Sequence, residues 1–211
     1  LEQHAAAYAG RINLLVAPCV SPWAYETIQR WNMHAVDPNR SFGNRAAQES
    51  AALLQLVEPL KERVIVHVDL HETTDTDESE FRPALAARDG KPFEPGLIPD
   101  GFYLVDDEAN PQTDFQRAII TAVAKVTHIA PADADGKIIG TPVIAPGVIH
   151  YPLKALGLCA SISGARFTTT TEVYPDSPRT NAAECVEAQC AAVAAAIEYA
   201  LKAWPERVPA Y

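Results

Sequence analysis

Val64-Ile-Val-His-Val-Asp-Leu-His-Glu-Thr-Thr-Asp-Thr-Asp77 begins as a β-branched apolar run and ends as an acidic, hydroxyl-rich segment, with His71 at the junction. Residues 64–68 have the length and composition of a buried strand. In an α/β sheet the chemistry gathers in the crevice outside the carboxyl ends of such strands. His71 therefore stands where a neutral imidazole meets a metal or a substrate. The acidic residues that follow (Asp75, Asp77, Glu78, Glu80) read as a solvated loop, or as a preference for positively charged substrates if they face the site.

Working outward, residues 44–60 carry a helical stripe of Leu53, Leu54, Leu56, Val57 and Leu60. Residues 12–17 form a short apolar strand candidate, followed by a proline-containing loop that runs to about Phe42. Residues 82–111 are proline- and glycine-punctuated and read as a long excursion holding one strand at 102–105. A helix is expected at 113–126. Residues 142–158 are broken by prolines and glycines. The run Phe167-Thr-Thr-Thr-Thr-Glu-Val173 is β-branched and reads as a strand. Asn181 with Glu184 opens a final alanine-rich helix in the manner of a capping box. Residues 1–10 read as the tail of a helix closed by glycine. Strands alternating with helices argue for an α/β chain with a mixed, mostly parallel central sheet.

The chain has 211 residues, 48% of them hydrophobic, enough for one domain with a full core. A formal net charge of −10, without a basic cluster, makes nucleic acid and anionic membrane poor partners. No apolar run approaches the roughly 20 residues of a membrane span. Cys19, Cys159, Cys185 and Cys190 lack metal-finger spacing and read as four buried thiols in a reducing, cytoplasmic setting.

The loop after residue 17 reads Ser21-Pro-Trp-Ala-Tyr25, then Arg30, then Ala35-Val-Asp-Pro-Asn-Arg-Ser-Phe42. It sets two arginines and an asparagine on irregular backbone, and an arginine fork matches a carboxylate; surface pairing with the chain's many acids is the competing reading. This loop resembles the signature of zinc carboxypeptidases of the carboxypeptidase A type, Asn-Pro-(Asp or Trp)-Gly-Tyr, then Arg, then Gly-Val-Asp-x-Asn-Arg-x-Phe. Asp69-Leu-His71 resembles the segment supplying the last zinc histidine, in the form of the aspartoacylase and succinylglutamate desuccinylase branch. Thr171-Glu-Val173, before the final helix, resembles the segment carrying the catalytic glutamate.

The resemblance implies a carboxypeptidase-like sheet with helices on both faces, one catalytic domain over 1–211, and one zinc ion in the complete protein. It implies His71 as a zinc ligand, Glu172 as general base and Arg30 as oxyanion stabiliser. Asn39 and Arg40 would hold the substrate carboxylate, and Asp37 would orient a metal histidine. Tyr151 would face the substrate. The residues allow rivals: Glu172 paired with Arg166 or Arg179, Asp37 as a simple turn cap, Tyr151 as packing. The family's His-x-x-Glu zinc motif is absent from this sequence, and the expectation is that it lies upstream, making the chain N-terminally incomplete. Ser21, Ala24 and Ala35 also depart from the family's asparagine and glycines. The implied activity is hydrolysis of an amide next to a free carboxylate, in a small peptide or an N-acyl amino acid. The alternative is a metal-free module that keeps the carboxylate clamp without catalysis.

Overall fold

The computed structural model describes residues 5–203. Its frame is a six-stranded sheet of β1 (Val66–Glu72), β2 (Tyr103–Asp107), β3 (Lys137–Ile138), β4 (Thr141–Ala145), β5 (Val148–Tyr151) and β6 (Phe167–Val173). The spatial order is β1-β6-β2-β5-β4-β3. Pairing is parallel at β1–β6 and β2–β5, and antiparallel at the other three junctions. The α/β class and the mixed sheet are as expected, with parallel pairing kept to those two junctions.

Among the described residues five α-helices accompany the sheet: α1 (Pro22–Thr27), α2 (Gln48–Val57), α3 (Arg82–Arg88), α4 (Thr113–Val123) and α5 (Ala182–Ala203). Helices α4 and α5 cover one face. On α5 the buried positions Ala188, Ala192, Ala196 and Ala200 recur every four residues, so one stripe meets the sheet. Their small side chains let the helix lie close over Phe102, Leu104, Val148 and Phe167. Rings of Phe115, Phe167 and Tyr199 fill the remaining space at centroid separations of 5.3–5.6 Å. The Asn181 side chain caps α5 by accepting from the Glu184 amide (3.0 Å), while the Glu184 carboxylate takes the Thr180 hydroxyl (3.0 Å).

On the opposite face Tyr103, Val105 and Ile149 pack beneath Leu153, Leu158 and Ala160. Beyond them α2 contributes Leu54 and Val57 to a contact with Phe42, Cys159 and Ile162. Strand β6 lies between β1 and β2, so its threonines are buried. Their hydroxyls find partners: Thr168 donates to the Ala160 carbonyl (2.9 Å) and Thr169 to the Gln116 side chain (2.8 Å).

Several sequence expectations are corrected. Strand β1 is an edge strand, half-buried and with Leu70 51% exposed, because a β-branched run does not by itself encode how many neighbours it has. It also runs on to Glu72, so His71 sits within the strand and not after it. Residues 12–17 form no strand among the described residues, and Leu14, Leu15 and Val16 are exposed. The acidic run is helical: a wide turn at Asp77–Phe81 leads straight into α3, inside what reads as an irregular excursion. The proline-broken segment after 140 is the β4–β5 hairpin, turned by Pro146-Gly147. Ala5–Tyr8 is a single 3-10 turn and not an α-helical tail; residues 1–4 lie outside the described residues. Cys159 and Cys185 are buried, but Cys19 and Cys190 are exposed, and all four are free thiols. Among the described residues no helix is long and apolar enough to cross a membrane.

Candidate active site

The parallel register of β1 and β6 sets His67 beside Thr168, Asp69 beside Thr170 and His71 beside Glu172. Side chains alternate along a strand, and neighbours in register share a face. His67, Asp69, His71 and Glu172 thus project to the face opposite α4 and α5, where His67 meets Ser163 (3.0 Å). The carboxyl ends of the two strands present an imidazole and a carboxylate at the same height.

The loop carrying Arg30 to Phe42 comes over this end. Asp37 turns it: one carboxylate oxygen accepts from the Asn39 amide (2.9 Å) and starts the 3-10 turn Pro38–Arg40. The other accepts from Arg30 Nε at 3.1 Å. The turn is pinned from below by Ser50 Oγ donating to the Pro38 carbonyl (2.6 Å), and from the side by the Phe42 amide donating to the Gly157 carbonyl (3.1 Å). Gly157 has φ +64°, and a Cβ there would stand 3.1 Å from both the Arg40 carbonyl oxygen and the Gly43 nitrogen. Glycine is what lets this turn approach so closely.

Asn39 reaches the histidine. Its Oδ1 accepts from the Cys159 amide (2.8 Å), which leaves Nδ2 facing His71 Nε2 at 3.1 Å. The same ring nitrogen lies 3.0 Å from Asp69 Oδ2. A ring nitrogen that donates to Asp69 cannot also accept from Asn39, so the amide approach is a hydrogen bond only in the other tautomer. Nδ1 has no hydrogen-bond partner among the described residues. From behind the sheet, Gln189 Nε2 donates to the His71 carbonyl (2.8 Å).

Arg30 is held twice, by Asp37 and, through Nη1, by Asp77 Oδ1 at 3.3 Å. Arg40 is exposed; its guanidinium donates to the Asn39 carbonyl (2.8 Å) and lies in the fields of Asp37, Arg30, Tyr151 and Glu172. Glu172 accepts from Thr73 Oγ1 at 3.1 Å. Burial pushes its carboxyl up to about 7, against the opposing pull of the His71 charge and the Thr73 bond. Burial would lower the His71 imidazole, but the Asp69 carboxylate, with Glu172 behind it, outweighs that and pushes it up to about 9. Asp69, penalised by burial, is nonetheless lowered by the histidine it holds.

The structure therefore brings His71, Glu172, Arg30, Asn39, Arg40 and Asp37 together around one end of β1 and β6. Among the described residues Asp37 touches no histidine; it caps the turn and binds Arg30, and the carboxylate on the His71 ring is Asp69. Glu172 accepts from Thr73, and Arg179 is held by Asp100 (3.5 Å). Tyr151 shares the site face but ends β5 opposite Asp107, whereas Tyr103 lies opposite Glu172. Four residues of strand, about 13 Å, separate those levels. No side-chain hydrogen bond joins Tyr151 to Glu172 or Arg40 among the described residues. Sequence reasoning passed over Asp77, Thr73 and Tyr103. Asp77 was hidden in a run of acids, and the two hydroxyls enter only through strand register.

A zinc site of the catalytic kind takes three protein ligands. Among the described residues no group of three His, Cys, Asp or Glu side chains could hold a metal ion. His71 Nδ1 is one open donor, and the set does not fit the ion.

No protein-family model and no curated protein matches the sequence. The fold is similar to the crystal structure of a candidate metallopeptidase from Shewanella baltica OS155, with a TM-score of 0.57 and 18% sequence identity. The match covers 87% of this chain and 62% of that one, so this chain spans less than two thirds of the neighbour's length. The shared fold is that of a metallopeptidase-like α/β protein.

Proposed function

We propose that this chain carries the base and substrate-binding groups of a zinc-dependent hydrolase of the carboxypeptidase type. Its reaction is cleavage of an amide next to a free carboxylate, in a small peptide or an N-acyl amino acid. The observation that supports this most is the convergence of Glu172 with Arg30, Arg40 and Asn39 at the carboxyl ends of two parallel strands. A carboxyl held near neutrality takes and returns a proton at working pH. A guanidinium close by attracts the substrate carboxylate, and Arg30 Nη2, unbonded among the described residues, faces developing negative charge with the rest of its fork already fixed. The metallopeptidase-like fold agrees with this reading. Among the described residues no set of three donors includes His71, so no step is assigned to the metal.

A second reading, a metal-free module that binds carboxylates without turnover, is favoured by that donor count. One experiment separates them. C-terminal peptides and N-acyl amino acids are assayed for hydrolysis and for binding, with added zinc and with chelator, on the wild type and on Glu172→Gln. The hydrolase reading expects turnover that zinc supports, chelator removes and Glu172→Gln abolishes while binding persists. Binding without turnover under every condition establishes the module. Turnover indifferent to chelator, or retained in Glu172→Gln, overturns the assignment.

A further inference from the structure

A carboxylate base has two oxygens, and only one can be presented to the reacting proton. We propose that Thr73, backed by Tyr103, is the positioning residue that makes this choice for Glu172, an inference that rests on the hydrolase reading above. Thr73 follows β1 directly and is buried, and its amide is held by the Val173 carbonyl at 2.9 Å. Its Oγ1 lies 3.1 Å from Glu172 Oε2 and 3.4 Å from the Tyr103 hydroxyl. A hydroxyl has one proton to give. With that proton directed at the carboxylate, Thr73 can only accept from Tyr103, so the chain runs one way: Tyr103 O–H to Thr73 Oγ1, Thr73 O–H to Glu172 Oε2.

Both ends of this chain are fixed by the sheet. Tyr103 is the first residue of β2, opposite Glu172 in the antiparallel register, and is 3% exposed. Thr73 is tied to the end of β6 through its backbone. Oε2 is thereby occupied, and Oε1, which has no hydrogen bond among the described residues, is the oxygen left for the proton of the reaction. Neither Thr73 nor Tyr103 is bonded to Arg30, Arg40 or Asn39. Removing the hydroxyl should therefore disturb the base and spare substrate capture.

The test compares Thr73→Val, Thr73→Ser and Tyr103→Phe with wild type, by steady-state hydrolysis and by a crystal structure of each variant. Thr73→Val is expected to lower kcat by about tenfold, the factor associated with losing one hydrogen bond to a charged group, with KM within about twofold. Thr73→Ser should recover kcat to within about threefold of wild type, and Tyr103→Phe should fall between. In the crystals the Glu172 carboxylate should be rotated in the valine variant and in place in the serine variant. A valine variant with wild-type kcat, a loss that serine does not rescue, or an unmoved carboxylate overturns the proposal. If wild type hydrolyses nothing, the hydrolase reading fails by itself. The orientation of Glu172 in the valine and serine crystals then still decides whether Thr73 positions it.

Discussion

His71 shows how a spacing of two residues sets the chemistry of a ring. Asp69 and His71 fall on the same face of β1, and their contact at 3.0 Å makes the folded chain hold the imidazole proton more tightly than the unfolded chain does. Its stabilising contribution is complete below the ordinary histidine value near 6.5 and is lost as pH rises through about 9. Glu172, pushed up to about 7, also binds its proton more tightly when folded, so its contribution drains between the ordinary carboxyl range and about 7. In chelated protein, unfolding free energy from urea titrations should therefore decline between pH 6.5 and 9. His71→Gln should flatten that slope, and an identical slope in the variant would remove the Asp69–His71 pair as its source. A second residue-scale case is Ala35, at φ 57° in a turn whose Asn32 side chain accepts from the His34 and Val36 amides. A left-handed alanine costs about 1 kcal/mol. Ala35→Gly should raise the melting temperature by roughly 2–4 °C in a chain of this size, read by calorimetry.

Among the elements, β6 and α4 are joined through a buried polar knot. Gln116 donates to Asp106 Oδ1 (2.8 Å) and to the Thr168 carbonyl (2.9 Å), and accepts from Thr169 (2.8 Å). Burial raises the Asp106 carboxyl, and the bonds from the Gln112 amide and Gln116 restrain it. Gln116→Leu strips several buried groups of partners at once and should cost about 2–3 kcal/mol in the urea midpoint analysis. Arg117→Leu, one residue on and exposed, should be nearly neutral. Which elements were legible follows from where their instructions reside. The β-branched run of β6 and the apolar stripe of α4 are written in their own residues and formed where expected; α5 formed as well, but seated on its alanine stripe, with Val186 64% exposed. The apolar run at 12–17 has strand composition too, yet pairing is a property of two segments, and it forms no strand among the described residues. The β4–β5 hairpin was obscured by Pro142 and Pro146, since proline argues against a strand interior. In the site, the Asp37-Pro-Asn-Arg40 turn was visible because its side chains bond their own backbone. Thr73, Tyr103 and Asp77 were not, because their contacts depend on strand register and on a helical turn that brings Asp77 back toward Arg30.

At the scale of the molecule, one open mixed sheet unites two unlike surroundings. Glu172 stands on β6, laced to β1 on one side and β2 on the other, while His71 stands on β1, whose far side adjoins no strand among the described residues. The two groups are neighbours in register, but their strands do not share the same rigidity. Deuterium uptake should reveal this as slow exchange along all of β6 and an alternating fast and slow pattern along β1. Uniform protection of β1 would mean its outer border is sealed. Otherwise the imidazole breathes against a carboxylate that stays still, and small displacements between them arise from one partner alone.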